Sequence, residues 1–152
     1  MTTLPSLATW YKVDWDYTKC TSIPTKWTVT NNNLTGTVAD VNRITYQPDN
    51  RNDGYITISG NIITSSNIAT LNIGLVRNPG IATSGPATGA GAVVRYGETT
   101  LRPGTANQPF QFSTVIYLSD IGPGDDFELW CNGSVNTMTI TVQDIQMLVN
   151  SK

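Results

Sequence analysis

The chain has 152 residues, a formal net charge of −2 and no histidine; 39% of it is hydrophobic and only 13% charged. That length suits one domain with one core, and the charged fraction is about half that of an ordinary globular protein. Without imidazole there is no Ser-His or Cys-His nucleophile and no histidine-held zinc or copper, so the commonest routes to catalysis are excluded and no enzyme or cofactor is expected.

Residues 7–17 open the chain as an aromatic strand, with Trp10, Tyr11, Trp15 and Tyr17 close together. Trp10 and Trp15 differ in phase, so the tryptophans divide between core and interface. Residues 20–24 form a turn; residues 26–30 and 33–38 are short strands around an asparagine corner, where Asn tolerates the left-handed conformation. Residues 43–47 alternate, with Ile44 and Tyr46 on one face, until Pro48. Residues 49–54 read as a polar loop. Residues 55–59 and 62–65 read as two strands joined at Gly60-Asn61. Residues 69–77 follow, with Leu71, Ile73 and Leu75 in phase. Each run ends at Gly, Pro, Asn or Asp, the signature of an all-β chain.

Residues 78–91 have no charge and no periodicity, and read as a long surface loop of the kind that often carries function. Strand returns at 92–96, and 101–109 is a turn region. From Phe110 to Val149 the pattern has period two. Gly122-Pro123-Gly124-Asp125 makes a tight turn, Pro fixing φ, Gly supplying positive φ and Asp capping with its own side chain. Phe127, Leu129 and Cys131 share one face, and Met138, Ile140 and Val142 answer them across an Asn132-Gly133 hairpin turn. Phase slips between Phe112 and Val115, and between Val142 and Ile145, predict two bulges. The fold class expected is all-β: an antiparallel β-sandwich of jelly-roll type, a single domain over 1–152.

The nine basic residues are scattered and form no patch to displace counterions from nucleic acid. No apolar stretch approaches the ~20 residues of a membrane span, and Met1 to Pro5 lacks the basic and apolar regions of a signal peptide. Partners are therefore expected to be neither nucleic acid nor membrane, and the sequons at Asn33 and Asn132 read as chance matches. Cys131, in phase with Phe127 and Leu129, reads as a buried free thiol; its pairing with Cys20 stays open. Asp14 and Asp16 share a strand face and read as solvated. Residues 49–54 mimic a calcium loop, but Arg51 and Gly60 stand where oxygen ligands belong. Trp130, out of phase with its neighbours, faces away from the core and marks an interface; with Trp10, Tyr11, Trp15 and Tyr17 it completes the candidate contact residues.

The closing strands resemble the end of a jelly-roll domain of virus and phage structural proteins. The residues that carry the likeness are Val115-Ile116-Tyr117-Leu118, Gly122-Pro123-Gly124-Asp125, Phe127-Glu128-Leu129-Trp130, Thr139-Ile140-Thr141-Val142 and Met147-Leu148-Val149. The order also resembles the closing strands of C1q-like and tumour-necrosis-factor-like trimers, and covers about a quarter of the chain. The charge-poor, Thr/Asn/Gly-rich composition is similar to that of phage head-decoration (cement) proteins, and the absence of heptads or a repetitive shaft sets the chain apart from tail fibres. The resemblance implies a virion protein on the capsid surface, made in the host cytoplasm, that contacts the major capsid protein. The segment 1–24 would be its interface arm and 78–91 an alternative contact. A homo-oligomer is expected, a trimer before a dimer. The alternative is a receptor- or carbohydrate-binding module at a fibre tip, which would take a glycan.

Overall fold

The structure is a computed structural model, and it describes residues 2–4, 9–13, 26–30, 43–67, 70–77, 84–85, 94–135 and 137–151. These form eleven strands: β1 (Thr2–Leu4), β2 (Trp10–Lys12), β3 (Trp27–Thr30), β4 (Arg43–Tyr46), β5 (Asn52–Thr64), β6 (Leu71–Arg77), β7 (Ser84–Gly85), β8 (Val94–Leu101), β9 (Pro109–Ile121), β10 (Asp126–Gly133) and β11 (Met138–Ser151). The chain is all-β, as its strand-and-turn pattern predicts, and every pairing is antiparallel.

Sheet A runs β1-β11-β5-β9. Sheet B is built around β10. One edge of β10 carries β6, which pairs in turn with β8. Its other edge is shared, β4 lying along residues 126–128 and β2 along 130–131, with β3 beyond β4 and β7 beyond β2. Four of the pairings are nested: β1 with β11, β4 with β10, β5 with β9 and β6 with β8. Successive pairs alternate between sheet A and sheet B.

The two sheets share one core. Sheet A contributes Ile56, Ile58, Ile62, Phe112, Ile116, Leu118, Met138 and Ile140; sheet B contributes Ile44, Tyr46, Leu71, Ile73, Leu75, Phe127, Leu129 and Cys131. These residues alternate along their strands because the pleat sends every second side chain to the same face. Apolar burial of this kind is the main force holding two sheets together.

Four local expectations are corrected. First, Gly60-Asn61 is no hairpin: β5 runs straight through it, and the strand already begins at Asn52, inside the expected polar loop. Ile56, Ile58, Gly60, Ile62 and Thr64 keep one phase. Gly60 sits at a close approach: a Cβ there would lie 3.1 Å from the Gln143 carbonyl oxygen and 3.4 Å from Ile145 Cα, where β11 bulges. Second, Asn132-Gly133 ends β10 instead of turning a hairpin. β10 ends at Gly133 in sheet B and β11 begins at Met138 in sheet A, and facing sheets lie about 10 Å apart. The apolar faces of β10 and β11 do meet, but across the core from opposite sheets.

Third, of the two expected bulges only the second stands. β11 shifts register between Gln143 and Gln146, with Asp144 at φ 53°. β9 pairs in continuous register with β5 over residues 109–118, and its irregularity falls later, between Leu118 and Ile121, with Asp120 at φ 50°. Fourth, the expected loop 78–91 contains β7, paired with β2; its other residues lie outside the described ones, as do the expected turn at 20–24 and strand at 33–38.

The turn at 122–125 forms as its residues dictate. Asp125 N donates to the Gly122 oxygen at 3.1 Å, Gly124 has φ 78°, and the Asp125 carboxylate accepts from Gly122 N at 2.6 Å. Pro123 before a positive-φ glycine is the chemistry of a type II turn. Arg77 donates to the same carboxylate and, at 2.8 Å, to the Asp120 carbonyl, which ties β6 to the turn.

Candidate functional site

The five residues expected to make contacts divide. Trp15 and Tyr17 lie outside the described residues. Tyr11 is half-buried against the main core. Trp130 does face away from that core, as its phase requires, but it is 1% exposed and packs with Trp10, 2% exposed, and Val76 in a second cluster. Both tryptophans are interior residues of this chain and have no surface to offer a partner. Phase tells which face of a strand a residue takes; whether that face is covered is a property of the whole fold.

Around this second cluster lies a buried ionic network. Glu128 is 1% exposed. Its Oε1 accepts from Lys12 Nζ at 2.6 Å, Arg43 Nη2 at 2.7 Å and Arg43 Nε at 3.0 Å, and its Oε2 accepts from Trp130 Nε1 at 2.9 Å. Arg43 also bridges to Asp126 at 3.1 Å, whose other oxygen accepts from Thr45 Oγ1 at 2.5 Å. The strand registers make this possible: Arg43 stands opposite Glu128, Thr45 opposite Asp126 and Lys12 opposite Trp130. Among the described residues, two cations meet two carboxylates here. Such a network does less for raw stability than for register, since a one-residue slip would strand buried charges.

The same strands bring together the two segments expected to make contacts. Trp10 pairs with Gly85 and Tyr11 with Ser84, so β2 of the 1–24 arm and β7 of the 78–91 segment are neighbours at one end of sheet B.

The sequence did not point to the outer face of sheet A, where the exposed large apolar side chains of the described residues gather. Val115 is 66% exposed, Leu148 65%, Tyr117 61% and Tyr55 41%. Register sets them in two rows across three strands: Leu148, Thr57 and Val115; then Asn150, Tyr55 and Tyr117. A shallow depression of about 50 Å³ is lined by Asp53, Gly54, Tyr55, Tyr117 and Asn150. Asn150 Nδ2 donates to the Tyr55 hydroxyl at 2.9 Å. The Tyr117 hydroxyl is hydrogen-bonded to the Asp53 carboxylate, which, with some desolvation, raises its pKa above the ordinary tyrosine value. Asp53 Oδ1 also accepts from the Asp120 backbone at 2.9 Å, and Asp120 pairs with Arg51 at 2.8 Å. The missed signal was Val115 and Tyr117 themselves: an apolar pair out of phase with Phe112 was read as a bulge, when it is an apolar outer face.

Cys131 is a free buried thiol, and burial pushes its pKa well up. Among the described residues no three His, Cys, Asp or Glu side chains come together to hold a metal, and no helix is long and apolar enough to cross a membrane. Compared with protein-family models, curated proteins and solved structures, the chain matches none of them.

Proposed function

We propose that this chain is a jelly-roll virion protein that acts by contact, decorating or cementing a capsid through protein–protein interactions. The jelly-roll reading is supported by the nested pairs: one long antiparallel hairpin, wrapped so that successive pairs fall in alternate sheets, yields the orders β1-β11-β5-β9 and β4-β10-β6-β8. Double-sheet jelly rolls serve widely as capsid and lectin domains.

The observation that carries the contact role is the pairing of β2 with β7. It brings residues 10–11 and 84–85, one pair from each expected contact segment, together at one edge of sheet B. The ionic network of Lys12, Arg43, Asp126 and Glu128 ties β2 and β4 to β10 beside this pairing. The partner in this reading is the major capsid protein. Assembly as a homo-oligomer, a trimer before a dimer, would multiply weak contacts through effective concentration. The second reading, a receptor- or carbohydrate-binding tip module, draws on Tyr55 and Tyr117 exposed beside Asp53 and Asn150.

Immunogold electron microscopy of native particles, with antibody raised against this chain, tests both. Label over heads is the expected result. Label confined to tail tips would favour the second reading, and particles without label would overturn the virion role.

A further inference from the structure

We infer that the depression between Tyr55 and Tyr117 on the outer face of sheet A is a binding platform for a neutral glycan, the sugar stacking on the two rings while its hydroxyls reach Asp53 and Asn150. The inference deepens the carbohydrate reading and needs nothing of a virus particle. Particle labelling and sugar binding therefore fail separately.

The rings are direct cross-strand partners, Tyr55 opposite Tyr117, so they stand side by side on one pleated face. Each hydroxyl has a hydrogen-bond partner, Asn150 for Tyr55 and Asp53 for Tyr117. Aromatic faces with a few placed polar groups are the usual make-up of a small-ligand site. Tyrosine suits a ligand with both C–H faces and hydroxyls, because it offers an apolar body and a polar tip. A depression of about 50 Å³ is too shallow to enclose a sugar ring, so the ligand lies on the surface.

Charge selects among occupants. Among the described residues Asp53 is the one charged side chain lining the depression, and nearby Arg51 is engaged with Asp120. A phosphate or acidic sugar would meet that carboxylate. A sugar hydroxyl is compatible with a carboxylate, which only accepts hydrogen bonds and here already accepts from the Tyr117 hydroxyl and the Asp120 backbone. A second copy of the chain docked by two-fold symmetry over this spot would set Asp53 against its own equivalent, since such contacts bring the same patch to both sides.

The test is a glycan array carrying neutral and acidic oligosaccharides, followed by calorimetric titration of the hits at about 1 mM ligand. The wild-type chain is expected to bind neutral glycans only. Tyr55→Ala and Tyr117→Ala should each weaken binding about ten-fold or more, and Asp53→Asn should weaken it less. Leu148→Ser, on the same face but in the other row, should leave it unchanged. Thermal melts of the variants confirm folding. No neutral glycan bound, a preference for acidic glycans, binding that survives both tyrosine changes, or equal loss in Leu148→Ser would each overturn the inference. So would self-association in sedimentation that Tyr117→Ala abolishes, which would assign the face to a second copy.

Discussion

β9 and β10 are joined by one turn and treat their two faces in opposite ways. β9 alternates: Phe112, Ile116 and Leu118 go inward, while Val115 and Tyr117 go out to solvent. β10 buries both faces, with Phe127, Leu129 and Cys131 in the main core and Glu128 and Trp130 buried on the far side. The outward residues invert the ordinary rule. On β9 they include exposed apolar groups, and on β10 a buried carboxylate. Exposed apolar and buried polar side chains are the informative departures in a globular protein. Here the first gives sheet A an exposed apolar outer face, and the second ties β10 to β2 and β4.

The comparison breaks first at Glu128. Glu128→Gln leaves the buried Lys12 beside a neutral amide, with the half-buried Arg43 keeping Asp126, and should cost about 3–5 kcal/mol, read from urea unfolding. Adding Lys12→Met should recover part of that loss, because the amide then faces no buried ammonium. An equal cost in the double variant would mean that Lys12 is held by other partners.

Gly97 tests how closely β8 approaches β9. It has φ 61°, and a Cβ there would fall 2.3 Å from Ile116 Cγ1. Gly97→Ala combines an unfavourable backbone with overpacking and should cost about 2–4 kcal/mol, seen as a lowered Tm. The main core also predicts a pH dependence through Cys131. Its pKa is raised by burial above the ordinary 9.0, so above that pH the unfolded chain loses a proton that the folded chain keeps. Stability therefore falls as pH climbs, by about 1 kcal/mol one unit above the ordinary value, and Cys131→Val should flatten that part of the curve. At the small end, Val115→Thr on the open face of β9 should change stability by no more than about 0.5 kcal/mol in the same urea assay.

What the sequence made legible was local. The in-phase runs Leu71-Ile73-Leu75 and Phe127-Leu129-Cys131 named core faces correctly, and the 122–125 turn was readable down to the aspartate cap. Gly60 was misread because glycine serves both turns and close approaches, and only the bulge of β11 against it decides which. The β10–β11 connection was misread because period-two patterns report a shared core without saying whether two strands lie in one sheet or in facing sheets. Trp130 could be assigned a face but not a cover. The tyrosine platform depends on Tyr55 and Tyr117, far apart in sequence, landing opposite one another, and no spacing rule within one strand announces that.

The nested pairing has a consequence for how the protein is made. Of the described strands β1 is synthesised before all the others and its partner β11 after them, and β11 also sits between β1 and β5 in sheet A. Of the four nested pairs the innermost, β6 with β8, closes the shortest span, so it can form early on the ribosome, whereas sheet A cannot be completed until residues 138–151 have emerged. Contacts this distant along the chain make folding slow. During that wait Ile56, Ile58 and Ile62 lack part of their cover, and the nascent chain is most vulnerable to aggregation just before its synthesis reaches the final strand.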